Sequence, residues 1–415
     1  MADKPTKPKV VSPIYHPLNQ ASRLRSRRWL NIGIVLLVVA AAIAGGLLVK
    51  DHKNKNQSSA AHGVRLIYTD SVKGRLSLAD NAGDILARAP APVKVYATYE
   101  ALSPDGGALV SFGSPGPQES FAMVGGSQSI TADSQKALRT ADYQGGSHNM
   151  VFINDNTVLY TVCSPSATCK IVALNLSRGK TFQVADTGLK AQAPSSFCYL
   201  VGKSDDGASV YLRVSGQNSL GKSASAVYQV NSSHGNVVRT IQVPVYAGFD
   251  LSLSPDAGAL AFSGAKAEKG GKAHAVIYVL NTESGSQISV GWPQAAAGSI
   301  GGKLEWSPDG HKLLMRTIAL RGPAGSKQAP QPIYLAYLDI SSAQITDLQT
   351  INDTRLNELL SSGWLDNSRI VYDQLASAKS GDFTSAQSTV YKQDISSKTS
   401  APFGGTAGQL LGVAF

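Results

Sequence analysis

The chain has 415 residues, 43% hydrophobic and only 16% charged, which supplies a sizeable core and excludes wholesale disorder. Its formal net charge of +10 is concentrated at one end: residues 1–55 hold ten Lys/Arg against two Asp, leaving 28 basic and 26 acidic side chains, a net of +2, over residues 56–415. So nearly neutral a body does not read as a nucleic-acid-binding surface.

Residues 1–28 contain Pro5, Pro8, Pro13 and Pro17 with little apolar periodicity, and read as a disordered basic tail. Residues 29–49, WLNIGIVLLVVAAAIAGGLLV, are apolar apart from Asn31. As a helix this run rises about 31 Å at about 1.5 Å per residue, enough for a hydrocarbon core of about 30 Å. Seven Lys/Arg precede it, four of them Arg23, Arg25, Arg27 and Arg28, while Lys50, Lys53 and Lys55 follow. The positive-inside rule then predicts a single-pass membrane anchor with its N-terminus in the cytoplasm and the body outside. A cleaved signal peptide ending at AIA (42–44) is the competing reading. The long basic region and the continuation of the apolar run through Leu47, Leu48 and Val49 favour the retained anchor. Residues 50–62 form a polar linker.

From residue 63 onward a turn signal recurs: SPDG at 103–106, NDN at 154–156, SDDG at 204–207, SPDA at 254–257, SPDG at 307–310 and LDNS at 365–368. Asp105, Asp155, Asp206, Asp256, Asp309 and Asp366 fall at intervals of 50, 51, 50, 53 and 57 residues, and each precedes a short β-type run such as SVYLRV or KLLMRT. Asp-Gly suits the left-handed positions of a tight hairpin, and Pro presets the preceding dihedral. A second turn family interleaves: DNAGD (80–84), NLSRG (175–179), NSSHG (231–235), NTESG (281–285), DISSA (339–343) and DISSK (394–398). Each unit reads as four strands, and four-stranded units repeated radially make a β-propeller. Six units are complete; residues 409–415 supply the first strand of another, whose remaining three lie at 64–90. The expected fold is all-β, a seven-bladed β-propeller over 63–415 closed by pairing the chain ends, with eight or six blades as alternatives, preceded by one transmembrane helix.

On its SPDG-type turns at 103–106, 254–257 and 307–310, the body resembles the WD-repeat-like propellers of the periplasmic Tol-system protein and of dipeptidyl peptidase IV-type enzymes. The resemblance covers about 350 residues. It departs from the true WD pattern, since no Trp-Asp dipeptide occurs, and from the peptidases, since no hydrolase domain follows. It implies a protein-binding or cell-envelope role.

The repeated aspartates sit one per unit inside turns, which suits a structural part rather than catalysis. Neither GxSxG, HExxH nor CxxC occurs, and the body histidines at 148, 234, 274 and 311 are scattered singly, so no catalytic residue, metal or cofactor is expected. Cys163 and Cys169 flank SPSAT at matching ends of a predicted hairpin, where an oxidising exterior would permit a disulfide; two unbonded thiols are the other reading. Cys198, in SFCYL, reads as a buried free thiol.

The connections between second and third strands vary most: 214–226, 264–274, 318–330 and 375–388. Variable loops on a rigid scaffold are the usual place for binding. Lys222, Lys266, Lys269, Lys272, Arg321 and Lys327 compose a candidate basic sector for an anionic envelope polymer, a lipid surface or an acidic protein partner. Solvated lysines in flexible loops are the plainer reading. The function expected is non-catalytic binding or scaffolding in the cell envelope; the alternative is a propeller hydrolase or lactonase with its site in the axial channel.

Overall fold

A computed structural model of the chain describes residues 65–70, 75–90, 97–103, 109–113, 121–122, 138–139, 150–162, 168–178, 180–190, 197–217, 223–243, 251–267, 273–300, 304–318, 332–352, 357–376, 387–407 and 409–414. All belong to the unit His62–Phe415. The tail, the apolar run 29–49 and the linker lie outside the described residues, among which no helix is long and apolar enough to cross a membrane.

What is described is strand and turn. β1 (Arg65–Asp70), β2 (Arg75–Asp80) and β3 (Ile85–Pro90) are followed by β4 (Ala97–Leu102), β5 (Leu109–Gly113), β6 (Phe121–Ala122) and β7 (Leu138–Arg139). Next come β8 (Val151–Asn154), β9 (Thr157–Val162), β10 (Thr168–Asn175) and β11 (Lys180–Lys190), then β12 (Phe197–Lys203), β13 (Ser209–Gln217), β14 (Ser223–Asn231) and β15 (Val237–Gln242). The run continues with β16 (Ser252–Leu253), β17 (Ala259–Ala267), β18 (Ala273–Asn281) and β19 (Gln287–Ala296). After these stand β20 (Glu305–Trp306), β21 (Lys312–Arg316), β22 (Ile333–Asp339) and β23 (Gln344–Ile351). The last are β24 (Asn357–Trp364), β25 (Arg369–Ala376), β26 (Gln387–Asp394), β27 (Ser400–Ala407) and β28 (Gln409–Ala414).

These strands form seven four-stranded antiparallel sheets: β4–β7, β8–β11, β12–β15, β16–β19, β20–β23 and β24–β27 in chain order, and a seventh ordered β28-β1-β2-β3. In the seventh, β28 lies antiparallel to β1, with Arg65 opposite Ala414 and Thr69 opposite Gln409. The first strands of the sheets adjoin one another in the cycle β28, β4, β8, β12, β16, β20, β24 and back to β28. Sheets stacked radially in this way are a β-propeller.

The alternation along the second strands explains the stacking. In β17, Leu260 and Phe262 pack toward the preceding sheet with Tyr211, Val227 and Leu251, while Ala261 packs toward the following one with Trp306 and Leu313. Both faces of each strand are apolar because each sheet is covered on both sides. Each fully buried large side chain contributes about 1.5–3 kcal/mol. The same relation repeats at three further junctions, the last joining Val371 and Phe403 to Leu410 of β28 and Ala79 of β2. Directly opposed aromatics reinforce single sheets: Phe262 stacks on Tyr278 at 5.3 Å between ring centres, and Tyr372 on Tyr391 at 5.4 Å. Indoles tie successive first strands together, Trp306 Nε1 donating to the Ser252 carbonyl (3.3 Å) and Trp364 Nε1 to that of Glu305 (2.9 Å).

Candidate functional site

In an antiparallel four-stranded sheet, the turns joining strands one to two and three to four leave from the same end. The two turn families therefore share one rim, and their side chains show what that rim does. At Asp206 the carboxylate accepts from Ser204 Oγ (2.6 Å) and the Ala208 N–H (2.9 Å), and Ser204 Oγ in turn accepts from the Ser209 N–H (2.9 Å). Asp256 repeats this with Ser254 (2.6 Å) and Gly258 (3.0 Å), and Asp309 with Ser307 (2.6 Å) and His311 (3.0 Å). The Ser hydroxyls and amides hold the Asp206 and Asp256 carboxyls below the usual range. Partial burial pushes Asp309 upward, but Ser307 and His311 together outweigh it. Asp366, in the divergent LDNS turn, takes the N–H of Ser368 and of Arg369 (both 2.8 Å) and the Arg369 guanidinium (Nε 2.6 Å), and is also held low against the upward push of burial. At the NDN turn, Asn154 Oδ1 takes the Asn156 N–H (3.0 Å) next to exposed Asp155.

The fourth residue of these turns needs the left-handed region: φ is +67° at Gly207 and +70° at Gly310, and Ala257 adopts +58° in the same place. In the second family Asn231, Asn281, Asp339 and Asp394 each receive the following serine or glutamate amides on Oδ1. The Ser396 hydroxyl (2.6 Å) and the Ser397 N–H (2.9 Å) lower Asp394 to about 2. The two families then lock together, because the residue after each Asx donates its N–H to a carbonyl of the first turn: Leu176 to Asn156, Ser232 to Ala208, Thr282 to Gly258, Ile340 to His311 and Ile395 to Ser368, all at 2.9 to 3.0 Å. The described rim is a set of self-satisfied turns, without converging acid–base groups.

Of the predicted basic sector, Lys266 is exposed near the far end of β17, opposite His274, at the end of the sheet away from the rim. Lys222, Lys269, Lys272, Arg321 and Lys327 lie outside the described residues, as do Asp105 and Cys163. Cys169 stands in β10 and Cys198 in β12, strand positions whose side chains are not described. Among the described residues no group of three His, Cys, Asp or Glu could hold a metal.

Sequence reading missed a polar layer between the sheets. The fifth residue of the second strand is Thr161, Arg213, Arg316 and Asp373 in β9, β13, β21 and β25. Thr161, Arg213 and Asp373 are fully or almost fully buried. Arg213 Nε donates to Ser225 Oγ (3.2 Å). Asp373 accepts the Ser361 N–H (2.5 Å) on Oδ1 and the Leu410 N–H (3.0 Å) on Oδ2. Ser361 sits where the β24–β25 register slips, so the carboxylate satisfies a bulge amide in its own sheet and an amide of the C-terminal strand in the next. Burial pushes this carboxyl up to about 7, although both amides and nearby Arg316 pull it down. The signal was a charge breaking the alternation in VYLRV, LLMRT and IVYDQ.

No family model matches the chain, and no curated protein matches it. Solved structures do. TolB from Acinetobacter baumannii is 12% identical, with a TM-score of 0.40, over 68% of this chain and 62% of that one, so the chain spans less than two thirds of that protein. A putative 6-phosphogluconolactonase from Bacteroides uniformis is 12% identical (TM-score 0.48, 85% of this chain and 99% of that one). The β-propeller domain of the Trilobed protease from Pyrococcus furiosus is 10% identical (TM-score 0.42, 71% and 80%). The likeness in each case is one of fold.

Proposed function

We propose that the chain is a membrane-anchored, extracytoplasmic propeller of seven blades that binds a partner, without catalysis, through the face opposite the short-turn rim. The observation that supports this reading is the commitment of the rim: the carboxylates of Asp206, Asp256, Asp309, Asp339, Asp366 and Asp394 are all engaged by donors of their own turns. Chemistry free to vary is thereby left to the opposite end, where the loops around 214–226, 264–274, 318–330 and 375–388 bring Lys222, Lys266, Lys269, Lys272, Arg321 and Lys327. An anionic polymer, an anionic lipid surface or an acidic protein patch would be attracted there. The basic tail and the apolar run 29–49 supply the anchor and its orientation. A hydrolase or lactonase would need titratable side chains gathered at the axis; Asp373, the described carboxyl with a raised pKa, is instead buried against backbone amides.

The test is co-sedimentation of residues 62–415 with envelope fractions of the source cell across a salt series. Binding that weakens steeply with salt, and is lost on replacing Lys266, Lys269 and Lys272 with Ser, is the expected result. Absence of binding at low salt would remove the basic face from the proposal.

A further inference from the structure

The closing strand β28 comes from the far end of the chain and pairs with β1 alone, over five residue pairs interrupted by a register slip between Ile67 and Tyr68. Its link to the preceding first strand differs from those elsewhere in the ring. β16, β20 and β24 are joined in series by the indole N–H groups of Trp306 and Trp364, which do not titrate. The residue after β28 is Phe415, which has no such donor. Between β24 and β28 stands a carboxylate instead: Asp373, 0% exposed, accepts the Ser361 N–H of β24 on Oδ1 (2.5 Å) and the Leu410 N–H of β28 on Oδ2 (3.0 Å). Apolar packing of Leu410 with Val371, Val390 and Phe403 completes the junction.

The two protonation states of that carboxyl place different demands on the fold. Neutral, it keeps acceptor capacity for the amides and has little hydration to lose. Ionised, it must go without water inside the junction, and two amides offset only part of that loss, so burial raises it to about 7. Few charges stand by to help. The Arg316 guanidinium of β21 pulls toward the ionised form, and Lys392 of β26 is drawn over the Phe403 ring, 5.7 Å from its centre. β28 and residues 359–364 of β24 carry no ionisable side chain. The rest of the seventh sheet has Arg65, Tyr68 and Asp70 on β1, Arg75 and Asp80 on β2, and Arg88 on β3, with Tyr68 opposite Leu410. Water reaching the carboxylate once β28 lifts would favour the lifted state only when the proton is gone. We propose that Asp373 is a proton-operated latch on the closing strand: the neutral carboxyl holds β28 in the ring, and its ionisation favours release of β28 from β25 and β1 while the other six sheets stay folded. This device is independent of the long-loop face.

The test is amide hydrogen exchange of the full chain in detergent, read by mass spectrometry on peptides from β28 and β1 and, as internal controls, from β13–β14 and β17–β18. Rates are divided by the intrinsic exchange rate at each pH, so that only opening is compared. From about pH 5 to about pH 8, protection of β28 and β1 is expected to fall at least about tenfold while the control strands keep theirs. Asp373→Asn, which has no proton to lose, is expected to remove that dependence. The proposal is overturned if protection of β28 does not fall, if it falls equally in Asp373→Asn, or if the control strands lose protection in step with it, which is global unfolding rather than release of one strand. Should Asp373→Asn not fold, the comparison of β28 with the control strands in the parent chain decides alone.

Discussion

Asp373 and Asp394 belong to the same sheet and titrate in opposite directions. Asp394, on the rim, has water on one side and serine hydroxyls and amides on the other, and is lowered to about 2. Asp373, buried between the sheets, accepts two amides and yet is raised to about 7, because the loss of hydration outweighs them. The rim uses carboxylates to shape turns in solvent, at little desolvation cost. The junction with β28 uses one to bind an amide of the closing strand, and makes that closure sensitive to pH.

The sign of that sensitivity follows from linkage. The folded pKa of Asp373 lies above its ordinary value of 3.8, so between about pH 4 and 7 the folded chain binds more protons than the unfolded chain at this site. Its contribution is therefore fully present below pH 4 and is lost as pH rises through 7. The rim aspartates have lowered values and work the other way, their contribution being lost as pH falls below 4. Asp373→Ala is the largest break: two buried amides lose their acceptor, and chemical denaturation should show a loss of about 3 kcal/mol. Asp373→Asn should flatten the decline in stability between pH 4 and 7 and leave the acid limb unchanged; the same decline in the variant would remove Asp373 as its source.

Gly363 tests the same junction sterically. A Cβ there would lie 2.8 Å from Cγ2 of Val413 in β28, so Gly363→Ala should cost about 1–3 kcal/mol in equilibrium unfolding. On the rim the effects are smaller. Ser254→Ala removes the hydroxyl that links Asp256 to the Ala259 N–H (2.8 Å) and should cost about 1 kcal/mol. Ala257→Gly should stabilise by less than about 1 kcal/mol, since the relief of a positive φ is offset by the entropy glycine adds to the unfolded chain. A gain at Ala257 without a loss at Gly363 would reverse the contrast between rim and closure.

The propeller was legible because its period is written in the turns. Asp256 and Asp309 do the same work in SPDA and SPDG, and the strands after them begin where the turn chemistry predicts. The LDNS turn was legible in position but not in mechanism, since its carboxylate turns to Arg369 rather than to a preceding serine. The basic sector was legible as composition alone: charges in variable loops carry no register, and Lys266 is its described member. The role of Asp373 was not legible, because it depends on two sheets meeting. Asp373 lies 37 residues from the amide it holds in the next sheet.

The most direct test of the proposed division between faces is photo-crosslinking in intact cells, with the reactive side chain placed at Lys266 or Lys272, in the loop sequence proposed to bind, and at Ser233 or Ser284 on the rim of the full-length chain. The prediction is adducts to an envelope component from the first pair and none from the second. Adducts from the rim pair alone would contradict it.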